Sequence, residues 1–127
     1  MIRLALIALL PIAAIAAATA PAPDWSRAER VEIELSSFDY RPRTVRLRAG
    51  QPVVLHLVNR SGGGHDFTAR AFFAAAALSR PVPGGRIDLK GGESRDVALV
   101  PKAGRYKVKC THAFHSTLGM TGEIVVE

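Results

Sequence analysis

The sequence contains a single cysteine, and this scarcity limits what the chain can build. One cysteine among 127 residues cannot form an internal disulfide, so Cys110 is either buried and inert, joined to another molecule, or used as a ligand or nucleophile. Structural zinc sites usually take two to four cysteines, which argues against structural zinc. Histidines are also few, since the chain has four. Cys110 therefore needs an explanation of its own.

Long basic runs are absent as well, although the chain carries a formal net charge of +6. Arginine supplies 13 of the 17 basic residues, and the alternating segment 41–48 places several of them on a solvated strand face. This pattern predicts no nucleic-acid partner. An acidic protein partner or an anionic membrane surface remains open.

No apolar run is long enough for a membrane-spanning helix. Residues 4–18 form an uncharged stretch of about 15 positions, short of the roughly 20 that a bilayer requires. Arg3 precedes this stretch, and small residues suitable for cleavage follow. We predict a secretory signal peptide over 1–18 rather than an uncleaved anchor, with cleavage after Ala20 as the alternative. The predicted mature protein is periplasmic and has no stable membrane span. Removal of Arg3 with the signal peptide leaves 16 basic and 11 acidic residues, a net charge of +5.

The rest of the chain alternates short apolar segments with turn residues. Residues 19–30 mix proline, alanine and charge, which is typical of a flexible leader. From residue 31 the apolar positions recur with a period of two, and Ala69–Leu78 is rich in helix formers. The predicted strands begin at Val31 and Val45 and continue over 52–58, 86–89, 94–100, 106–110 and 121–126. About seven to eight strands and one short helical insertion predict an all-β, antiparallel Greek-key sandwich or barrel over 31–127.

The stretch CTHAFHSTLGM, residues 110–120, concentrates side chains that bind metals. Strand alternation points both Cys110 and Met120 into the core from adjacent strand ends. The loop of nine residues between them carries His115, which closure of the hairpin can bring to the same point. His65 follows three glycines after the central strand, where the backbone can approach a buried ligand closely. We expect these four side chains to converge.

Two imidazoles, one thiolate and a distant thioether suit copper, because the sulfur ligands favour Cu(I) and the imidazoles suit Cu(II). His112 would have to turn back over the thiolate, so we expect it to face solvent, and a role as an extra ligand stays open. His56 has no partner at motif spacing and is expected to be structural. Phe38, Tyr40 and Tyr106 are expected in the core by strand alternation.

These segments together resemble the cupredoxins, the small blue copper proteins that include azurin, plastocyanin and pseudoazurin. The resemblance rests on segment 38–59, on HDF at 65–67 and on segment 103–126. Its specific part is C-x4-H-x4-M with an upstream histidine. It implies that the equatorial ligands are His65, Cys110 and His115 and that the axial ligand is Met120. It also implies that the tip of His115 emerges through an apolar electron-transfer patch, here Gly64, Ala113, Phe114 and Leu118.

Two positions depart from the family pattern. His112 has no counterpart in the family's ligand loop, the segment between the cysteine and the methionine, which is 111–119 in this chain. Position 66 is Asp where azurin has Asn; its carboxylate is expected to accept hydrogen bonds from the ligand-loop backbone or from Thr111. If ionised, Asp66 should favour Cu(II) and lower the potential. We expect Gly64, Asp66 and Thr111 to surround the ligands rather than to bind the metal.

The resemblance implies a periplasmic one-electron carrier, and the alternative is a periplasmic copper carrier or resistance protein that sequesters or delivers the ion. An enzyme is not expected, because copper oxidases and nitrite reductases of this fold need further histidines. A buried Cys110 would also make a poor hydrolase nucleophile. The expected partner is a redox protein, such as a c-type cytochrome or a copper or haem enzyme, and the net charge favours an acidic one. The protein is expected to be a monomer.

Overall fold

The computed structural model describes residues 11–17, 21–115 and 117–127. Most of the predicted signal peptide, 1–10 and 18, and the alternative cleavage position at Ala20 lie outside the described residues. Within these ranges the structure contains no helix with the length and hydropathy needed to cross a membrane.

The described chain consists mainly of short strands. The strand predicted at Val31 begins at Glu29, after a 3₁₀ turn at Trp25–Arg27, and a second 3₁₀ turn spans Pro83–Gly85. One α-helix, α1, spans Arg70–Ala75. The ten strands are β1 (Glu29–Ser36), β2 (Asp39–Arg41), β3 (Thr44–Leu47), β4 (Val53–Asn59), β5 (His65–Thr68), β6 (Ala77–Leu78), β7 (Arg86–Leu89), β8 (Ser94–Val100), β9 (Gly104–Lys109) and β10 (Thr121–Val126).

The strands form two five-stranded sheets packed as a sandwich, with orders β2-β1-β4-β8-β6 and β3-β10-β9-β5-β7. The predicted all-β sandwich is confirmed. The strand count is higher than the expected seven to eight, and β1 pairs with β4, and β3 with β10, in parallel. Alternation along one strand reports which face is buried and carries no information on the direction of the neighbouring strand.

Strand alternation places the core where the sequence predicts it. Along β4 every second residue is buried, from Val53 to Asn59, and the residues between them are half-buried. Short strands with one apolar face must bury that face against another layer, which the second sheet provides. The core between the sheets includes Ile33, Leu35, Leu55, Leu57, Phe67, Leu89, Leu99 and Ile124.

The helix predicted over Ala69–Leu78 is shorter than expected. It ends at Ala75, and Ala77 and Leu78 instead pair with the edge of β8 as β6. Alanine favours a helix by intrinsic propensity, but a free sheet edge offers these backbone groups partners, and tertiary context overrides the propensity. Phe72 and Phe73 are buried, so the helix packs against the core.

One of the three aromatics predicted in the core is misplaced. Tyr40 is buried and Tyr106 packs partly buried against the core, whereas Phe38 is 39% exposed. Phe38 lies in the turn between β1 and β2 with a positive φ of 60°, so the alternation of β1 does not carry through it. Its ring meets the edge of His115 instead, with centroids 5.0 Å apart. His56 lies on β4 beside Arg30.

Candidate metal centre

The ends of two neighbouring strands place the two sulfur side chains at one end of the sandwich. Cys110 directly follows β9 and Met120 directly precedes β10, and the two strands pair antiparallel. The Cys110 N–H donates to the carbonyl oxygen of Met120 at 3.2 Å, and the Met120 N–H donates to that of His115 at 2.9 Å. Both sulfur residues are fully buried. The loop between them is therefore folded back over buried sulfur side chains.

The histidines close over these residues from two directions. His65 opens β5 and is buried, and His115 is half-buried in the loop. The Nδ1 atoms of the two rings lie 3.1 Å apart, and the Cys110 Sγ lies 3.4 Å from the His115 Nδ1. One ligand atom from each of the three residues lies within 4.8 Å of the others. The structure thus brings together the predicted His65, Cys110 and His115, with Met120 buried next to them in the hairpin.

Burial shifts the pKa values of two residues in this cluster. Burial, together with the charges of His115 and His112, lowers the pKa of His65, which favours the neutral imidazole that can bind a metal. Burial raises the pKa of the Cys110 thiol, although N–H groups of Asp66 and His112 oppose the shift. A cation that replaces the thiol proton gains a thiolate already placed beside two imidazoles.

Asp66 ties the ligand loop to β5. Its carboxylate is fully buried, and it accepts the Thr111 N–H at 3.0 Å and the Thr111 hydroxyl at 2.7 Å. The Thr68 hydroxyl donates to its other oxygen at 2.7 Å. Its own backbone N–H donates to the Cys110 sulfur at 3.4 Å. The hydrogen bonds expected between Asp66 and Thr111 are therefore present, and they hold the end of β9 against the strand that carries His65.

Asn59 is a positioning residue that the sequence reasoning missed. This buried side chain donates to the carbonyl oxygens of Gly63, Leu89 and Lys90 at 2.8 to 3.1 Å. Its carbonyl oxygen accepts from the N–H and hydroxyl of Ser61. These contacts shape the glycine-rich loop that leads into His65. The available signal was an Asn directly before Ser-Gly-Gly-Gly, a composition typical of a side-chain-stabilised turn.

His112, which was expected to face solvent, is only partly exposed and packs against His115. A backbone hydrogen bond from the His115 N–H to the His112 carbonyl oxygen folds this turn, and 33% of the His112 side chain is exposed. Its ring stacks on His115 with centroids 5.3 Å apart. A Cβ at Gly64 would approach the His112 ring to 3.3 Å, so the glycine leaves room for it. Asp66, Cys110 and His112 form a second group of possible ligand atoms within 4.8 Å.

The residues expected to form an apolar patch lie on the surface around His115. Phe114 is 76% exposed and Leu118 is 60% exposed, and Gly64 and Ala113 are also exposed. Phe38 extends this surface from the other sheet, because its ring touches His115 edge-on. His115, the most exposed of the three clustered residues, therefore lies beside an apolar surface.

The chemistry of the donor set fits copper. Two ring nitrogens point at each other and at a cysteine sulfur, next to a buried thioether. This mixture of imidazole and soft sulfur donors suits a metal that cycles between Cu(I) and Cu(II). Structural zinc generally takes more thiolates and no thioether. The cluster formed by His65, Cys110, His115 and Met120 is consistent with a type 1 copper site.

Solved structures of blue copper proteins and of copper oxidases share this fold. Auracyanin B is 26% identical with a TM-score of 0.62, over 86% of this chain and 93% of its own. Reduced auracyanin from the photosynthetic bacterium Roseiflexus castenholzii is 18% identical with a TM-score of 0.61, over 79% and 98%. The multicopper oxidase McoA from Aquifex aeolicus is 14% identical with a TM-score of 0.65, over 87% of this chain and only 32% of the oxidase.

The family comparison covers almost the whole sequence. No curated protein sequence matches the chain. The family described as "Cupredoxin-like domain" matches residues 5–126. The auracyanins, which are small blue copper proteins, are matched over nearly their whole length. With a two-sheet sandwich and a His-Cys-His cluster at one end of it, this chain belongs to the cupredoxin-like family.

Proposed function

We propose that this protein is a periplasmic type 1 copper protein that carries single electrons between redox partners. The observation that carries the proposal is the approach of His65, Cys110 and His115, whose ligand atoms lie within 4.8 Å of one another beside a buried Met120. Copper bound by these residues would supply one-electron chemistry between Cu(I) and Cu(II).

The protein holds the ligands so that they need to move little on electron transfer. His65 is fixed at the start of β5, and backbone hydrogen bonds fix Cys110, His115 and Met120 relative to one another. The side chains of Cys110 and Met120 are fully buried, which excludes water from the sulfur side of the site. Small rearrangement between oxidation states favours rapid electron transfer.

His115 provides the exit for electrons in this proposal. It is half-buried, and the exposed Phe114 and Leu118 surround it with apolar surface. Transient redox encounters use small interfaces, which a patch of this kind matches. The excess of basic residues favours a partner with an acidic surface, such as a c-type cytochrome or a copper or haem enzyme, and a monomer suffices for this role.

We infer that the protein is not an enzyme. Two of its four histidines belong to the cluster, His112 stacks on one of these two, His115, and His56 lies on β4 in the other sheet. The oxidase McoA is matched over only 32% of its length. The auracyanins match in size and in overall fold.

A copper carrier that delivers the ion to a partner is the second candidate. The observation that favours it is the second ligand group, Asp66, Cys110 and His112, which shares its sulfur with the first group. A metal could pass through this group on its way to an acceptor. In that case His112→Ala should slow copper transfer to a chelator without changing the visible spectrum, and an unchanged transfer rate would exclude the route.

Addition of Cu(II) to the purified protein, with Cys110→Ser measured beside it, tests the proposed electron carrier. The proposal predicts an intense visible sulfur-to-copper band and a small copper hyperfine splitting in the EPR spectrum, both lost in Cys110→Ser. A weakly coloured complex that is indifferent to Cys110→Ser would refute the type 1 site.

A further inference from the structure

Arg86 lies between two carboxylates that the sheet brings together. β5 pairs antiparallel with β7, and the register sets Asp66 opposite Asp88 and Thr68 opposite Arg86. Like charges directly opposite each other destabilise a sheet. The Arg86 Nη2 lies 2.7 Å from the Asp88 Oδ1 and 3.6 Å from the Asp66 Oδ2. One guanidinium therefore faces both carboxylates.

The carboxylate of Asp66 depends on this cation more than that of Asp88 does. Asp66 is fully buried, whereas 62% of the Asp88 side chain is exposed to water. A buried carboxylate requires both hydrogen bonds and a balancing charge. The hydroxyls of Thr68 and Thr111 and the Thr111 N–H supply the hydrogen bonds. Among the described residues, Arg86 is the one permanently charged cation within 4.0 Å of the Asp66 oxygens.

The same carboxylate is coupled to the ligand side of the metal centre. The Asp66 N–H contacts the Cys110 sulfur, and its side chain holds Thr111, the residue that follows Cys110. A charge at Asp66 therefore acts on the cysteine ligand, and a charge at Arg86 acts with the opposite sign. The isolated Asp66 carboxylate would lower the copper potential, and the Arg86 guanidinium opposes this effect. The Asp88 carboxylate is closer to Arg86, but its side chain is 62% exposed, so water and salt screen its charge.

We propose that Arg86 is a positioning residue that offsets the Asp66 carboxylate, so that the pair and not the bare carboxylate sets the potential of bound copper. The electrochemical consequence rests on the proposed copper function. The ion pair itself belongs to the metal-free chain and can be tested without copper.

Reduction potentials of the copper-loaded Arg86→Gln, Asp66→Asn and double variants test the charge balance. Removal of one charge next to the cysteine ligand should change the Cu(II) to Cu(I) ratio at a fixed applied potential on the order of tenfold. This corresponds to a shift of about 59 mV in the reduction potential. Arg86→Gln should lower the potential, Asp66→Asn should raise it, and the double variant should return close to the parent. Arg105→Gln is the matched control. It removes a surface arginine of β9 that pairs with Glu123 of β10, and it should change the reduction potential little. Shifts of the same sign in the two single variants would overturn the proposal.

Urea unfolding of the metal-free variants tests the ion pair separately. Arg86→Gln should increase the unfolding equilibrium constant about tenfold, because the buried Asp66 carboxylate loses its charged partner. The effect is smaller than for a fully buried pair, since 41% of the Arg86 side chain is exposed. The double variant should lose less stability than the sum of the two single losses, because it no longer buries an unpaired carboxylate. Arg86→Gln with the parent's stability would overturn the proposal even if the copper site is correct. A parent protein that forms no blue complex, with Arg86→Gln still destabilised, would instead refute the proposed copper function alone.

Discussion

Replacement of Asp66 by alanine tests the connection between β5 and the ligand loop. The substitution removes the acceptor for the Thr68 hydroxyl and for the hydroxyl and N–H of Thr111, at 2.7 to 3.0 Å. Hydrogen bonds to a charged group contribute about 1.5 to 3 kcal/mol each, and burial of the carboxylate itself costs several kcal/mol. The difference predicts a net loss of about 3 kcal/mol in the free energy of unfolding, roughly 150-fold in the unfolding constant.

Asp66→Asn is the matched control for this prediction. The amide oxygen can still accept from Thr111 and the amide nitrogen can donate to the Thr68 hydroxyl, so we expect a loss of only about 1 kcal/mol. Urea denaturation of the metal-free proteins measures both variants, which keeps copper affinity out of the comparison. The reasoning is wrong if Asp66→Ala unfolds at the parent's denaturant concentration, or if the asparagine variant is as unstable as the alanine variant.

Three further predictions follow from the site. Asn59→Ala should lower the free energy of unfolding by about 2 to 3 kcal/mol, because buried carbonyl groups lose their donor; chemical denaturation checks this, and a loss below about 0.5 kcal/mol would contradict it. The metal-free protein should lose stability as the pH falls below about 6.5 through the lowered pKa of His65, since the unfolded chain takes up the proton first; urea midpoints that do not fall over this range would contradict it. Phe114→Ser should slow electron self-exchange by about tenfold at unchanged visible absorption, because it removes exposed apolar contact area beside His115; an unchanged exchange rate would place the exit elsewhere.

Local patterns in the sequence predicted correctly which residues of the site face the core and which approach them. The alternation in β9 and before β10 correctly placed Cys110 and Met120 in the core, and their spacing predicted that His115 would reach the same point. The position of His65 after a glycine-rich loop predicted its approach from a second strand. The inferences for Cys110 and Met120 succeeded because the side-chain period of two determines which strand residues face the core. Those for His115 and His65 succeeded because a short hairpin loop and a glycine-rich loop keep each residue close to a strand end.

Features that depend on neighbouring strands were not predictable in this way. Ala77 and Leu78 leave the helix because β8 presents a free edge, and nothing within 69–78 signals that edge. Phe38 leaves the core because its turn breaks the alternation of β1. The position of Arg86 beside Asp66 follows from the pairing of β5 with β7, which joins residues about twenty positions apart. Alternation within a single strand carries no information on such pairings.

The folding of His112 over the site shows a similar limit. Its spacing from Cys110 argued for a solvent position, because a side chain two residues away would have to reverse direction. The turn closed by the His115 N–H makes that reversal, and stacking on the His115 ring follows from it. Loop conformation depends on hydrogen bonds between groups whose proximity the spacing alone does not reveal.

A spectroelectrochemical titration of the copper-loaded protein tests the central claim most directly. The claim is that four side chains hold copper as a reversible electron carrier, namely those of His65, Cys110, His115 and Met120. The account predicts that the visible band bleaches and returns reversibly, with a one-electron slope of about 59 mV per tenfold change in the Cu(II) to Cu(I) ratio. Release of copper on reduction, or a band that does not return on reoxidation, would contradict the electron carrier and favour a protein that delivers the ion.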